Sequence, residues 1–386
     1  MKEIRKAVIA IDSFKGSLST FDSASAVSEA LTAVFPDIEK AAFPLADGGE
    51  GTMEAIIYAL GGMGVSLKVC DPIGEGVYAN YGLTRDGRAV IEMAAASGLT
   101  LIPKEKRNPL YTTSFGTGQL IRHAIVKGGC RRFIIGIGGS ATNDGGVGML
   151  SALGFEFLDE DGKEIPMGAI GLSRLKEIRT ENALPELSEC TFEVACDVKN
   201  PLCGENGCSA VYGPQKGADE KMIKEMDSYL ENYARLTKEI FPNADKDFPG
   251  AGAAGGVGFA LLSYLGATLK SGIDIVIDTM GIEESIKNAD IVITGEGRLD
   301  SQSAMGKAPI GIARTAKKYG KPTIAFSGCI SEGAKACNDA GIDAYFPILQ
   351  SPVSLSEAMD LENAYKNLRD TAEQTFRLIS TFTAEN

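Results

Sequence analysis

Histidine is almost absent from this sequence. His123 is the only histidine among 386 residues, and it lies in the middle of a predicted helix, in the segment LIRHAI, where we expect a structural side chain. A catalytic arrangement of serine, histidine and aspartate could therefore use no other histidine. If the chain catalyses proton transfer, we expect carboxylates or lysines to carry it.

Basic residues are also scarce relative to acidic ones. The 38 Lys and Arg residues face 51 Asp and Glu residues, which gives a net charge of −13 and an isoelectric point near 4.8. Binding to duplex nucleic acid needs a basic surface that displaces counterions, so we expect no nucleic-acid partner. A negatively charged substrate would have to be held by local hydrogen-bond donors.

Long apolar runs are missing as well. The N-terminal segment has an apolar run too short for a secretory leader, and the uncharged residues 249–269 begin with glycine and alanine, which predicts a turn entering a buried helix. The eight cysteines are scattered, and the spacing of Cys196, Cys203 and Cys208 matches no common zinc site. These features predict a cytoplasmic protein with reduced thiols and no membrane segment.

Glycine, in contrast, is abundant, with 46 residues. Residues 133–148, FIIGIGGSATNDGGVG, combine an apolar run, a glycine-rich segment and the start of a second apolar run. This pattern predicts a strand, a loop and a buried helix, a geometry that presents backbone N–H groups to an anion. The sequence therefore predicts a phosphate site with the candidate residues Gly138, Gly139, Ser140, Thr142 and Asn143.

The same segment also fits a dinucleotide-binding fingerprint. Gly136, Gly138 and Ala141 match Gly-x-Gly-x-x-Ala, and Asp159 follows about twenty residues later. Two features oppose this interpretation: residues 142–146 interrupt the position where the fingerprint's helix should already run, and Asp159 lies in a predicted turn. A nicotinamide-dependent hydroxyacid dehydrogenase stays open as an alternative.

Strand and helix patterns alternate at both ends of the chain. Short apolar runs followed by helical patterns occur in residues 7–60 and return in residues 289–348, which indicates parallel βαβ units. Hairpin signals in residues 65–93 begin a mixed α+β region. We therefore predict an α/β protein with two domains, a discontinuous Rossmann-like parallel-sheet domain (residues 1–64 and 282–386) and an inserted mixed domain (residues 65–281).

Acidic residues cluster beside glycines where three predicted strands end. These loops are Asp12–Ser17, Asp47–Thr52 and Gly295–Asp300. Ligands of open α/β sheets bind outside the carboxyl ends of the strands, so the three loops could converge on one crevice. Each loop taken alone is also compatible with ordinary turn chemistry.

Phosphoryl transfer needs N–H groups for phosphate oxygens, carboxylates that hold Mg²⁺, a cation, and a base near the acceptor hydroxyl. The middle of the chain adds candidates, because Asp197 ends a predicted strand with Asn200 three residues later, and Gly255 and Gly256 lie in a second glycine-rich turn. Two familiar templates are absent: the P-loop motif, and the His-Arg-Asp and Asp-Phe-Gly set of protein kinases. The residues alone indicate a phosphate-binding α/β enzyme.

Five segments, taken together and in this order, resemble the bacterial type-1 glycerate kinases. They are DSFKGS (12–17), PLADGGEGT (44–52), IGGSATNDGG (137–146), CDVKNPL (196–202) and TGEGRLD (294–300). The resemblance extends from about residue 4 to residue 375. It implies phosphorylation of D-glycerate that depends on ATP and Mg²⁺, with 2-phosphoglycerate as the usual product and 3-phosphoglycerate as the alternative. It also implies an active site in the cleft between the two domains.

Within this resemblance we assign site residues as a hypothesis. Asp197 is the first choice for the base that accepts the glycerate hydroxyl proton, and Asp47 and Asp300 are alternatives, either as the base or as Mg²⁺ ligands. Asp144 has either a capping or a metal-linked role. The remaining candidates are Lys15 and Arg298 for charge neutralisation, Glu296 for Mg²⁺, and Ser17, Gly48, Gly49, Asn200, Gly255 and Gly256 for substrate or phosphate.

One alternative belongs to another class of protein. A non-catalytic sensor of small acids, with two domains that close around the ligand, is compatible with the same residues. The expected partners are the small molecules D-glycerate and ATP, and a homodimer stays open.

Overall fold

The computed structural model describes residues 4–46, 49 and 51–383. Its backbone contacts divide the chain into two compact units, one formed by residues 1–47 and 273–386 and the other by residues 48–272. We call them the parallel-sheet unit and the mixed-sheet unit. Helix Thr52–Leu60 falls in the mixed-sheet unit, whereas the sequence pattern predicted it in the parallel-sheet domain.

The strands of the described residues are, in chain order, β1 (Lys6–Ile11), β2 (Glu39–Pro44), β3 (Gly62–Cys70), β4 (Gly76–Thr84), β5 (Arg88–Glu92), β6 (Arg132–Gly136), β7 (Glu156–Leu158), β8 (Glu177–Arg179), β9 (Thr191–Ala195), β10 (Thr268–Lys270), β11 (Ile291–Leu299), β12 (Thr323–Ile330) and β13 (Ala344–Pro347).

The α-helices of the described residues are α1 (Thr20–Val34), α2 (Thr52–Leu60), α3 (Ala94–Ser97), α4 (Phe115–Val126), α5 (Val147–Ala152), α6 (Ala169–Leu172), α7 (Cys208–Tyr212), α8 (Glu220–Ile240), α9 (Ala253–Leu265), α10 (Gly272–Met280), α11 (Ile282–Lys287), α12 (Ala308–Lys318), α13 (Ala336–Asp339), α14 (Leu355–Met359) and α15 (Leu361–Thr383). Short 3₁₀ turns include Pro214–Lys216 and Ser303–Met305.

The parallel-sheet unit is built on a sheet with the order β13-β12-β11-β1-β2, and all of its neighbouring strands are parallel. Successive residues of β1 point to opposite faces. Ile9 and Ile11 therefore join the apolar cluster that includes residues of α1 and α15, while Val8 joins the cluster of α10, α11 and α12. Both faces are thus covered by helices, as the continuous apolar runs predicted.

The strand order changes direction between β1 and β11. The chain passes from β1 to β2 on one side, and the later strands β11, β12 and β13 follow on the other side. Doubly wound sheets bind ligands at the carboxyl ends of the strands that flank such a switch point. In this unit those ends are followed by Asp12 and by Asp300.

The mixed-sheet unit has a sheet with the order β10-β9-β6-β5-β4-β3. The strand β4 pairs antiparallel with β3 and β5, and the pairs β5-β6, β6-β9 and β9-β10 are parallel. The predicted hairpins and the mixed character are confirmed. Helix α2 packs on this sheet, because Gly82 of β4 leaves room for the side chains of Met53 and Ile57.

The predicted end of one strand is wrong. β11 was expected to end near residue 294 with a loop at 295–300, but it runs to Leu299, so Glu296 and Arg298 are strand residues. No helix within the described part of the chain combines the length and apolarity that crossing a bilayer would need.

Candidate active site

The glycine-rich loop lies between the end of β6 at Gly136 and the start of α5 at Val147. Two backbone hydrogen bonds tie it to a neighbouring segment, from the Leu99 N–H to the Gly139 carbonyl (2.8 Å) and from the Ala141 N–H to the Ser97 carbonyl (2.9 Å). Gly138 and Gly139 are exposed, whereas residues 140–146 are buried. The loop therefore has an exposed edge and a buried underside.

The exposed edge carries backbone donors. Among the described residues, the N–H groups of Gly138, Gly139 and Ser140 have no hydrogen-bond acceptor. Consecutive N–H groups of this kind form an anion-binding concavity when they point to the same side. They are three of the five residues that the sequence predicted for phosphate, and binding by them stays a prediction.

The underside is organised by Asp144, which is fully buried. Its Oδ2 accepts hydrogen bonds from the Ser114 N–H and hydroxyl (both 2.8 Å), and its Oδ1 accepts one from the Gly146 N–H (3.1 Å). Burial raises the pKa of this carboxyl group, and these hydrogen bonds act in the opposite direction. The Gly148 N–H, near the start of α5, also donates to Oδ2 at 3.3 Å, so these contacts hold the loop to the starts of α4 and α5, and the choice between the capping and the metal-linked role stays a prediction.

Thr142 and Asn143 also point inward. The Asn143 Nδ2 donates to the Ser209 hydroxyl at 2.8 Å, and its buried Oδ1 has no hydrogen-bond partner among the described residues. The Thr142 hydroxyl donates to the Ala254 carbonyl at 3.4 Å. Both side chains lie beneath the exposed edge, where the sequence could not place them.

Lys216 is a residue that the sequence analysis missed. It lies in the 3₁₀ turn Pro214–Lys216, it is only 3% exposed, and its Nζ donates to the Ser140 hydroxyl (3.0 Å) and to the Thr142 carbonyl (2.7 Å). Burial lowers the pKa of the ammonium group to about 8, although Cys208 and Asp144 act to raise it. No sequence signal links this lysine to a loop more than seventy residues away.

The second glycine-rich turn packs directly against the first. Gly255 has a φ of 69°, its carbonyl accepts from the Gly145 N–H at 2.9 Å, and a Cβ at this position would lie 2.0 Å from the Thr142 carbonyl oxygen. Gly255 and Gly256 are both buried. Their lack of side chains therefore permits close packing of two loops, and substrate contact by their N–H groups stays a prediction.

The sheet brings Asp197 to the same edge as the glycine-rich loop. Gly136 of β6 and Ala195 of β9 are partners in the parallel ladder. Gly138 lies two residues after Gly136, and Asp197 lies two residues after Ala195, so both follow the same pair at the same end of the sheet. Neighbouring strands are about 5 Å apart. Asp197 is exposed, and its Oδ1 accepts from the Gly272 N–H at 3.0 Å.

Asn200, in contrast, closes its own loop. Its Nδ2 donates to the Asn206 carbonyl at 2.8 Å, and its Oδ1 accepts from the Tyr212 hydroxyl at 2.6 Å. Both ends of the amide are thus used in local structure. A direct contact with substrate stays a prediction for this residue.

In the parallel-sheet unit, the loop after β1 meets β11. The Phe14 N–H and the Leu18 carbonyl pair at 2.9 Å, and the Ser17 hydroxyl donates to the Phe14 carbonyl. A Cβ on Gly297 would lie 3.3 Å from the backbone nitrogen of Lys15, so this glycine lets the loop approach the strand. Two of the three predicted acidic loops are therefore adjacent within this unit.

The side chains at this second edge differ in exposure. Asp12 and Glu296 are buried, with the Asp12 Oδ1 accepting from the Ser13 N–H at 2.6 Å, whereas Lys15 and Arg298 are exposed. The exposed side chains are the two that the sequence assigned to charge neutralisation. Ser17 is half-buried.

Asp300 caps the turn that follows β11. Its Oδ1 accepts from the N–H groups of Gln302 (2.8 Å) and Ser303 (3.0 Å). Burial acts to raise the pKa of this carboxyl group, but these hydrogen bonds and the charge of Lys307 outweigh it, so the pKa lies below its ordinary value. Asp300 is therefore held as a carboxylate.

The candidate magnesium ligands are only partly described. Asp47 and Gly48 lie outside the described residues, and Gly49 is described but not its two neighbours. Within residues 4–46, 49 and 51–383, no group of three His, Cys, Asp or Glu side chains forms a metal site. The strand separates Glu296 from Leu299 by about 10 Å, and Asp300 follows, so these two carboxylates occupy different positions along the edge.

Two other sequence features have structural roles. The Nδ1 of His123, in the last turn of α4, lies 3.2 Å from the Tyr81 hydroxyl. Asp159 accepts from the N–H groups of Asp161 and Lys163 and pairs with Arg174 at 2.6 Å, so it closes a turn rather than facing a nucleotide ribose. All eight cysteine thiols are free.

Comparison with known proteins identifies the family. A model of the glycerate kinase family matches residues 7–380. The glycerate kinase of Haemophilus influenzae is 48% identical over 376 residues, covering 97% of this chain and 99% of the relative. The glycerate 2-kinase of Escherichia coli is 50% identical over 364 residues, covering 94% of this chain and 95% of the relative.

A solved structure has the same fold. The crystal structure of a Salmonella typhimurium LT2 protein proposed to be glycerate kinase 2 superposes with a TM-score of 0.89 at 46% sequence identity. The superposition covers 98% of this chain and 99% of that chain. Because both the family model and these relatives match almost the entire sequence, this chain belongs to the glycerate kinase family.

Proposed function

We propose that this protein transfers the γ-phosphoryl group of ATP to D-glycerate and forms 2-phosphoglycerate. The observation that carries the proposal is the family match over residues 7–380. The choice of the 2-hydroxyl is supported by the relative named glycerate 2-kinase, at 50% identity over 94% of this chain. The other relatives are named without a position.

The glycine-rich loop would hold an oxyanion in this reaction. Phosphoryl transfer is catalysed mainly by positioning and by electrostatic stabilisation of the phosphoryl oxygens. The N–H groups of Gly138, Gly139 and Ser140 are suited to that task because they lie at the exposed edge of the loop and have no acceptor among the described residues. Their role does not require any side chain.

Asp197 would accept the proton of the glycerate hydroxyl. It is exposed, it follows β9 beside the glycine-rich loop, and one of its oxygens is fixed by the Gly272 N–H. Asp300 is a weaker candidate. Two N–H groups stabilise its charged form, and its pKa is lowered, which makes it a weaker base. The assignment of Asp47 stays a prediction.

Magnesium, when bound, would neutralise charge on the phosphates. Mg²⁺ is commonly held by one or two carboxylates together with phosphate oxygens, so a group of three protein ligands is not required. Glu296, within β11, and Asp300, which follows the strand, are each a candidate for one such ligand, and Lys15 and Arg298 add exposed positive charge at this edge. The two-domain cleft, the cytoplasmic location and the homodimer stay predictions.

A coupled assay of ADP release tests the proposal. We expect ADP release that requires D-glycerate and Mg²⁺, and a phosphorus NMR spectrum of the product that matches 2-phosphoglycerate. A spectrum of 3-phosphoglycerate would change the position of transfer while keeping the activity. Tight binding of D-glycerate without ADP release would contradict the kinase and support the small-acid sensor.

A further inference from the structure

Lys216 is the one fully enclosed cation that touches the glycine-rich loop within the described residues. Its Nζ donates to the Ser140 hydroxyl and to the Thr142 carbonyl, and no carboxylate of the described residues lies within ion-pair distance of it. Buried ammonium groups are rare, because desolvation is costly without a compensating negative charge. A lysine at this position therefore needs a reason beyond filling space.

The nearby carboxylate does not supply that reason. Asp144 is buried under the same loop, but its oxygens already accept hydrogen bonds from the N–H and hydroxyl of Ser114 and from the N–H of Gly146. It influences Lys216 only through space, as does Cys208 of α7. Burial raises the pKa of the Cys208 thiol to about 11, so this thiol is neutral near pH 8 and supplies no compensating negative charge there.

The contact with Ser140 determines how that hydroxyl is used. Because the Ser140 oxygen accepts a hydrogen bond from Lys216, its own proton is available to another acceptor. Ser140 is the last residue of the N–H row Gly138–Ser140. An oxyanion bound to these three N–H groups could also accept a hydrogen bond from the Ser140 hydroxyl. The Lys216 ammonium group, which donates to that hydroxyl, would add a favourable electrostatic interaction.

We propose that Lys216 is the positioning cation of the glycine-rich loop: its ammonium group holds Ser140 and Thr142 from beneath and makes the N–H groups of Gly138–Ser140 selective for an oxyanion. This inference rests on the proposed function, since it assumes that the loop binds a phosphate of the nucleotide or the carboxylate of glycerate. Lys216 acts through Ser140 and the loop, and it does not touch the reacting atoms.

The pH dependence of binding follows from the ammonium group. With a pKa of about 8, about 90% of Lys216 is charged at pH 7 and about 3% at pH 9.5, a change of about thirtyfold. If the affinity for an oxyanion depends on the charge of Lys216, that affinity should be up to about thirtyfold lower at pH 9.5 than at pH 7. Neither ADP nor D-glycerate changes its own charge appreciably between these values.

The test is calorimetric titration of the whole protein with ADP and, separately, with D-glycerate at pH 7 and pH 9.5. Loss of affinity in the ADP arm assigns the loop to a phosphate, and loss in the glycerate arm assigns it to the carboxylate. Affinities that stay within twofold in both arms overturn the proposal, and this part needs no variant.

Variants separate the charge from the packing. Lys216→Met should bind the affected ligand about as weakly at pH 7 as the wild type does at pH 9.5, with no further change on raising the pH, and Lys216→Arg should restore part of the affinity. Lys224→Met, at an exposed position of α8, is the matched control and should behave as wild type. Wild-type affinity in Lys216→Met overturns the proposal.

The two proposals fail in different ways. If the wild type shows no ADP release with D-glycerate, the proposed function fails, but the pH dependence of ADP binding still tests Lys216. If turnover is present and binding does not depend on pH, the role of Lys216 fails and the kinase stands. In the enzyme, the loss in Lys216→Met should fall on the KM of one substrate, whereas a merely structural residue would lower stability and kcat without such a split.

Discussion

The two sheet edges of this protein use different chemistry. At the edge of the mixed-sheet unit, the donors are backbone N–H groups, and the charged side chains that support them, Lys216 and Asp144, are buried. At the edge of the parallel-sheet unit, the carboxylates Asp12 and Glu296 are buried and the cations Lys15 and Arg298 are exposed. The first edge therefore presents backbone groups, and the second presents charged side chains.

The difference has a consequence for mutation. A backbone site is damaged by changes beneath it, because those changes move the N–H groups. A side-chain site is damaged by removal of the side chain itself and is more sensitive to salt, because exposed charges are screened. Asp197 is the exposed carboxylate that accompanies the backbone site.

The largest effect is expected for Asp197→Asn. General-base catalysis contributes about 10²- to 10⁴-fold, so kcat should fall by that factor while D-glycerate still binds. The measurement is steady-state ADP release, with Asp161→Asn, in an exposed turn, as the control. A kcat within about tenfold of wild type would show that Asp197 is not the base.

Asp144→Ala should act on the backbone site through stability. Removing the carboxylate leaves the N–H groups of Ser114 and Gly146 without an acceptor in a buried place, which costs about 2–4 kcal/mol of unfolding free energy. Urea denaturation measures this loss. If the variant is instead stable but needs much more Mg²⁺ for activity, Asp144 has the metal-linked role and not the capping role.

Lys15→Met tests the side-chain site. An exposed cation that pairs with a substrate anion contributes about 1–2 kcal/mol, so kcat/KM should fall about tenfold, mainly through KM and less at high salt. Lys287→Met, on the exposed side of α11, is a suitable control. An unchanged salt dependence in Lys15→Met would remove the distinction between the two edges.

The smallest effect concerns stability and the ionisation of Lys216. The pKa of about 8 in the folded protein is lower than the ordinary value of 10.5, so between these two values the unfolded chain binds more protons and stability rises with pH. Below pH 8 both states are charged, and the cost of burying the charge is fully present. Relative to Lys216→Met, the wild type should gain about 1–2 kcal/mol between pH 8 and pH 10 in urea denaturation, and a parallel pH dependence of the two proteins would contradict this.

Local patterns predicted most of the fold. The buried strand β1 follows its apolar run, and Ser19 caps α1 by accepting a hydrogen bond from the Asp22 N–H. The end of β11 could not be predicted, because Gly295 and Gly297 suggest a loop. In the folded protein, residues 292–299 pair with β12 over almost their whole length, and this pairing overrides the local preference.

The sequence by itself determined the order of strands and helices, the glycine-rich loop and the resemblance to the glycerate kinases, because these depend on residues close together in the chain. The tertiary structure decided which parts of the loop are exposed, why Thr142, Asn143 and Asp144 point inward, and that Lys216 supports the loop from beneath. Apolar patterns predict which elements are buried, but they do not say which distant residues meet, so a contact across more than seventy residues of chain is decided by tertiary packing.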